Sequence, residues 1–436
     1  MTMDRSGIAT DASPASAPVL ATADQHHAEK TLLQLLQDND PELRQIQASI
    51  GAELAATPRG RTADSAATLD VAIARWTNSV IFGELSSYCP RPVILWVTDD
   101  TPRTWLGHTI GGVSGAGDNP DAIFRQSVVD GAGRYEIVGR YDPAHRPAQF
   151  VAEGFPGDVA HPKSMMERNP NGALVEPVLM TDRDLVVGPD GTFRITLGSA
   201  ADGPNHIATR PGPITLLFRD MLADWNQRPC RLAIRRLDGT RADSFDLGEL
   251  RRRVHADLGE YIRFWSAYPD TWLGGLKPNT ASDPRGRGGG WGLICGLRYR
   301  LATDEAIVVT IERGGAAYTG FQVTDPWMLG ADARQYQVCL NLSQTTPNAD
   351  GSLTYVISPT DPGVANWLDT AGLHEGFGVI RWQALPAGAT NAGLLREFRV
   401  AKLAELRTLQ GLAPISAEQR KAQLAGRVDS YNSRVR

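Results

Sequence analysis

The sequence predicts a mainly β protein: two related antiparallel β-sandwich halves, with a helical N-terminal region, a connecting helix and a C-terminal helix. Three observations carry this. From about Val93 onward, short runs rich in β-branched and aromatic residues recur, among them PVILWV, RYEIVGRY, TFRITLG, ITLLFR, AIVVTIE and LTYVIS, and several alternate apolar and polar residues with period two. Gly, Pro, Asn and Asp bound these runs. The 44 glycines and 28 prolines of this 436-residue chain suit many tight turns better than a helical bundle. Finally, the chain repeats itself.

The first copy reads DGTFRITLGSAADGPNHIATRPGPITLLFRDM from Asp190, and the second DGSLTYVISPTDPGVANWLDTAGLHEGFGVIRWQ from Asp350. Asp-Gly-Thr aligns with Asp-Gly-Ser, Asn205 with Asn366, Thr209 with Thr370, and Arg219 with Arg381 near the end of the next strand. Tyr135 in RYEIVG and Tyr318 in AYTGFQV extend the comparison upstream. The Asp-Gly turns open hairpins because glycine accepts a positive φ.

Taken in order, residues 1–28, rich in Ala, Ser, Thr and Asp, read as a disordered tail, and 29–90 as a helical region. There Leu32, Leu35, Leu36, Leu43 and Ile46 recur at helical spacing, broken at Asp40-Pro41, and Leu69, Ile73, Trp76 and Val80 share a face over Ala66–Leu85. Residues 91–246 form the first half, and 247–285 a connecting helix (about Leu247–Ala267) with its loop. Residues 286–390 form the second half, and 391–436 a C-terminal helical tail whose first helix spans about Asn391–Leu412.

Composition limits the function. A net charge of -5, with no basic stripe carrying interleaved aromatics, argues against a nucleic-acid partner; the basic RRLDGTR and LRRRVH stretches read as solvated faces. The first 30 residues lack a signal-peptide pattern and no run of 18 apolar residues occurs, so a cytoplasmic chain without a membrane span is expected. Cys89, Cys230, Cys295 and Cys339 are widely spaced and read as buried thiols in a reducing compartment.

No P-loop, nucleophile elbow or HExxH is present, and the glycine stretches GGVSGAG and RGRGGGWG do not fit a dinucleotide fingerprint, so they read as loops. The eight histidines are scattered; no cofactor and no metal is assigned, although a metal site built from distant ligands stays open. What remains is acid–base chemistry or plain binding.

The loop between the last two strands of the second repeat offers the catalytic candidates. His374 follows Asp369 by five residues in a glycine-containing loop, so Asp369 can orient one imidazole nitrogen while the other faces a ligand. Asn366 can donate to a developing oxyanion, and Tyr318 can act as an acid or hydrogen-bond donor. Arg381 can bind a carboxylate bidentately, and Gln322, Asn341 and Trp367 complete the substrate-binding candidates. The competing structural roles are turn capping for Asn366 and Asp369, strand packing for Tyr318, Gln322 and Asn341, a salt bridge for Arg381, and a core plug for Trp367. Asn119, Asp121 and Arg125 suit a structural role better than ligand contact. His255, Tyr261, Arg263 and Trp265 are polar or aromatic, but the six-residue step from His255 to Tyr261 leaves one helical face, so they are not grouped.

The pattern N-A-D-G-S-L, a strand, N-W-L, then a strand ending in Arg resembles a bacterial family known as domain of unknown function twelve-fourteen. Longer members also resemble this chain at GDNPDAIFRQSVVDGAGRYEIVGR and at GFQVTDPW…QYQVCLNLSQ, so the likeness runs from about Gly117 to Arg381. The resemblance implies a C-terminal β-sandwich module and little about activity. The first copy departs from it, with Asn205-His206-Ile207 where Asn-Trp-Leu is expected, which makes the second half the better place for a site.

The leading expectation is a small-molecule enzyme without an organic cofactor, acting on an aromatic or hydrophobic catabolic substrate. Its reaction would be an acid–base lyase step, a retro-aldol cleavage or elimination that could release formaldehyde. The alternatives are a carbohydrate- or hydrophobic-ligand-binding sandwich without catalysis, and a metal-dependent hydrolase. A homo-oligomer is compatible with all three.

Overall fold

The computed structural model describes residues 19–166, 177–239, 245–287, 290–409 and 411–433. Residues 1–18 of the expected tail lie outside them. From Ala23 the chain is already helical: α1 spans Ala23–Gln37 and is capped by the Thr22 hydroxyl, which accepts from the Gln25 amide at 3.1 Å. The expected tail is therefore shorter than 28 residues. Asp40 caps α2 (Pro41–Ala55), with Pro41 in its first turn, where a missing amide costs nothing. α3 spans Ala63–Tyr88.

Each half is a pair of packed sheets. In the first half the strands order Leu95–Thr98, Ala122–Asp130, Pro213–Met221, Gln149–Pro156, Val178–Thr181 in one sheet. The other orders Arg231–Arg236, Tyr135–Arg140, Thr192–Gly198, His206–Ala208. In the second half one sheet orders Thr280–Ala281, Gly292–Arg300, Glu375–Gln383, Tyr318–Thr324, Cys339–Asn341. Its partner orders Leu395–Lys402, Glu305–Ile311, Leu353–Ser358, Trp367–Asp369. From the second strand of each larger sheet onward, the two halves share one pairing order. Even the single parallel pair recurs, Thr196 with His206 and Val356 with Trp367. Phe150, Phe193, Ile195 and Phe218 fill the first sandwich; Phe321, Tyr355, Ile380 and Trp382 fill the second.

The shared order corrects the upstream alignment. Tyr135 lies on the strand whose counterpart is Glu305–Ile311, whereas Tyr318 lies on the counterpart of Gln149–Pro156. The C-terminal expectation also changes. Leu395–Lys402 is an edge strand paired with Glu305–Ile311, not a helix, because a full ladder of main-chain bonds outweighs the helical propensity of LLREFRVAKL. A helix follows only at α5, Ala417–Ser433.

The connecting helix α4 runs from Leu247 to Leu273, beyond the expected Ala267, and its N-terminus is capped by Asp246. Leu250, Val254, Leu258 and Ile262 bury one of its faces among α1, α2 and α3. No helix among the described residues is long and apolar enough to cross a membrane.

Asn205 and Asn366 show what the repeat conserves physically. Asn366 Oδ1 accepts from the Thr346 amide at 2.8 Å, and its Nδ2 donates to the carbonyls of Thr346 (2.7 Å) and Thr354 (2.9 Å). Asn205 makes the same three bonds, with the Val186 amide (2.8 Å) and the carbonyls of Val186 (2.9 Å) and Arg194 (3.0 Å). Each side chain clasps an incoming loop to the strand after the Asp-Gly turn. Every polar atom of Asn366 is consumed by backbone, so it has no donor left for an oxyanion. Replacing either Asn by Ala should cost about 2–3 kcal/mol, because buried backbone groups lose their partners. Urea unfolding should give similar losses for both variants.

Candidate functional site

The catalytic loop expected from sequence does not assemble. Asp369 Oδ1 accepts from the Ala371 amide at 2.8 Å, while His374 Nδ1 meets the Leu301 carbonyl at 2.9 Å. Leu301 in turn donates its amide to the His374 carbonyl at 2.7 Å, so the imidazole belongs to a strand-end clamp. No hydrogen bond joins Asp369 to His374 among the described residues. Trp367 packs under Arg420 at 5.1 Å and donates to the Ser358 carbonyl, which makes it the core plug. None of Asn366, Trp367, Asp369 and His374 lines the cavity described next.

That cavity, about 510 Å³, lies between the two halves, with α4 as one wall. Strand ladders place its charged groups. Arg219 and Arg381 occupy equivalent positions, each third from the end of the central strand of its larger sheet, and both reach the cavity. Arg287 joins them from the RGRGGGWG stretch. The Trp291 indole meets two of these cations, with Arg287 4.0 Å and Arg219 5.1 Å from its centre.

Arg381 donates to Gln322 Oε1 at 2.9 Å and to the Gly117 carbonyl at 3.0 Å. Arg219 lies against Glu153, with its Nε left without a hydrogen-bond partner. Neither Arg287 nor Arg381 has an ion-pair partner among the described residues. Burial, and then the nearby Arg381, push the Arg287 guanidinium down to about 9; burial lowers Arg381 as well. Guanidinium groups keep their protons at neutral pH, so these cations stand close together with their charge uncompensated by a carboxylate on Arg287 or Arg381 among the described residues. Gln383, 1% exposed, also presents an unpartnered Oε1 among the described groups.

The opposite wall is aromatic. Tyr261, Trp265, Tyr268 and Trp272 fall at i, i+4, i+7 and i+11 on α4, with successive ring centres 6.2, 5.2 and 6.3 Å apart. The Gly111–Gly117 stretch closes over them. A Cβ at Gly115 would lie 2.8 Å from the Trp265 ring, and Gly117 has φ +69°, so glycine is required for this approach. Trp76 pins the loop from behind, donating to the Gly115 carbonyl at 2.6 Å.

Of the eight sequence-derived site residues, Arg381 alone lines the cavity. Gln322 holds Arg381. Tyr318 is fully buried and donates to Asp121 at 3.0 Å while accepting from Asn119 at 2.9 Å; Asn341 donates to the same Asp121 at 3.1 Å. These three support the wall and do not contact the space. Asn119 does line it, contrary to the structural role expected, whereas Arg125 is a buried partner of Asp220. The α4 aromatics are a four-member stripe at helical spacing in the sequence, a signal that starts at Tyr261 and does not include His255. His255 instead bonds Asp40 at 2.8 Å on another face. Arg287 carried no periodic signal at all.

A larger groove, about 1240 Å³, borders α1, α3 and the first half. Its arginines Arg91, Arg235, Arg236 and Arg253 each face an acidic partner, so it offers no comparable demand for a ligand.

No family model matches the chain, and no curated protein matches it. Among solved structures it is similar to an uncharacterised protein from Burkholderia cenocepacia, at 21% identity and a TM-score of 0.63, over 88% of this chain and 99% of that one. The VPA0106 protein from Vibrio parahaemolyticus aligns over 76% of this chain and 99% of its own, at 10% identity and a TM-score of 0.39. The first likeness shows the fold alone.

Burial raises the Asp369 carboxyl to about 6, with Asp361 adding to it. A carboxyl raised in the folded state contributes stability that is complete below its unfolded value and lost as pH rises through the folded one. Asp369→Asn should therefore be more stable than the parent at pH 7.5, by on the order of 1–3 kcal/mol, with the gain gone near pH 4. Urea unfolding at the two pH values checks this, and a loss at pH 7.5 would mean that the ionised carboxylate is needed.

Proposed function

We propose that this protein binds a small organic anion with a flat, largely apolar ring in the cavity between its halves. The observation that carries this reading is the convergence of Arg219, Arg287 and Arg381 on one aromatic-lined space, two of them without a carboxylate among the described residues. Guanidinium groups bind carboxylates through paired, charge-assisted hydrogen bonds. The Trp265–Tyr268–Trp272 face offers a surface for a ring. The substrate class expected from composition, aromatic or hydrophobic, gains a negative charge under this reading.

A second reading, catalysis in the same cavity, is favoured by Asp118. Asp118 lines the space, and burial, then Asp100 and Asp99, push its carboxyl well above the usual carboxylate range even though its oxygens accept the Asp100 (2.9 Å) and Asn119 (2.7 Å) amides. A carboxyl that keeps its proton can act as a general acid. An elimination or retro-aldol cleavage of the bound anion would then use Asp118 in place of His374 and Asp369. Membership of the domain-of-unknown-function family twelve-fourteen and a cytoplasmic location are part of the proposal, supported by the repeat motif and the four free cysteines.

Calorimetric titration with aromatic carboxylates, sugar acids and the methyl esters of both tests the first reading. Acids should bind and esters should not, and Arg381→Gln should weaken acid binding by about 10–100-fold, the worth of a charge-assisted hydrogen bond. Equal binding of acids and esters would overturn it. Under the second reading, Asp118→Asn leaves binding intact and abolishes conversion of the bound acid, followed by mass spectrometry.

A further inference from the structure

One polar cluster lies outside the cavity. Glu84 on α3, Asp257 on α4 and His161, which leads into the Pro162–Met166 turn, bring one ligand atom each to within 4.8 Å of one another. His161 Nδ1 is 3.3 Å from Asp257 Oδ1, and His161 Nε2 is 3.9 Å from Glu84 Oε1. These two contacts use opposite ring nitrogens, whereas one ion takes a single nitrogen; turning the ring so that one nitrogen serves both carboxylates would gather three ligand atoms that already lie within 4.8 Å of one another. Glu84 is 0% exposed. Its Oε2 accepts from Arg253 Nε at 2.7 Å, while Oε1, on the His161 side, has no hydrogen-bond partner. An oxygen of Glu84 and an oxygen of Asp257 also lie within 4.8 Å of each other. Two carboxylates so placed need a proton or a cation between them.

From this geometry we propose that Glu84, His161 and Asp257 bind one divalent transition metal ion of zinc-like preference. One oxygen of each carboxylate and one imidazole nitrogen would serve as ligands. His161, 44% exposed at its side chain, faces solvent and leaves a coordination position open there. Arg253 orients the Glu84 carboxylate from the far oxygen, as outer partners of metal ligands commonly do. The ion would tie α3 and α4 to the Pro162–Met166 turn. Pro162 and Met165 also line the cavity, so the metal would stiffen part of the wall without touching a ligand there. This site does not depend on the anion reading.

The test uses tag-free, full-length protein stripped with EDTA and titrated calorimetrically with ZnCl₂ alone, with a parallel thermal melt. One saturable ion per chain and a raised Tm are expected. His161→Ala removes a partly exposed ligand and should leave the metal-free Tm unchanged while weakening zinc binding at least 10-fold; Asp257→Asn should do the same. Absence of saturable binding by the parent would overturn the proposal. So would a His161→Ala variant that binds zinc with the parent's affinity and stoichiometry.

Discussion

A buried ion pair at the junction of the three parts sets the rest of the molecule. Arg75 on α3 donates from one nitrogen to Asp100 at 3.2 Å and to the Gly330 carbonyl at 2.6 Å, and Asp100 accepts the Gly330 amide at 2.6 Å. Helical region, first half and second half thus meet on one guanidinium. Both side chains are nearly sealed from solvent, 10% and 2% exposed. A charge buried this way is tolerated only with its partner in place. The Asp100 amide in turn donates to Asp118 at 2.9 Å, which fixes the start of the segment carrying Asn119 and Asp121. The cavity wall is therefore held by the same bonds that hold the halves together.

Given that junction, the pairing of the halves explains why a site forms between them. Arg219 and Arg381 lie on equivalent central strands, bonded on both sides along their ladders. A residue so held has little freedom to retreat to solvent. Two sandwiches brought together at their larger sheets therefore present two fixed cations to one space. The cost of crowding them is met in part by Glu153 beside Arg219 and by neutral partners of Arg381, Gln322 and Gly117. Neutral partners satisfy hydrogen bonds and leave the charge itself uncompensated.

Much of the fold was legible because its signals are local. Period-two runs, Asp-Gly turns and the Asn205–Asn366 correspondence each need only a few neighbouring residues. The site was less legible because it is assembled from segments far apart in sequence. Arg381 was found through the repeat, which marks a strand position, but nothing local says which face of a strand meets a cavity. His374 and Asp369 failed for the complementary reason. A polar loop between two strands has its own backbone to satisfy, and here the Ala371 amide takes an Asp369 oxygen while the Leu301 carbonyl takes His374 Nδ1, so the two side chains pair with backbone and not with each other. The edge strand Leu395–Lys402 shows the same limit, since its partner lies some ninety positions upstream and no propensity records it.

Division of labour between element types follows from these constraints. Strands supply the cations because ladders on both sides fix a side chain's origin and direction. α4 supplies the aromatics because a helix can bury one face, Leu250 to Ile262 against the N-terminal helices, and still offer another to the cavity. The stripe ends at the C-terminal turn of α4, where Leu273 lies against Gly296: a Cβ there would lie 2.3 Å from Leu273 Cδ2. That glycine lets the helix approach the sheet closely enough for Trp272 and Arg285 to stand 5.8 Å apart across the mouth. At this end of the cavity helix and sheet therefore meet through the packing of Leu273 on a glycine of the strand.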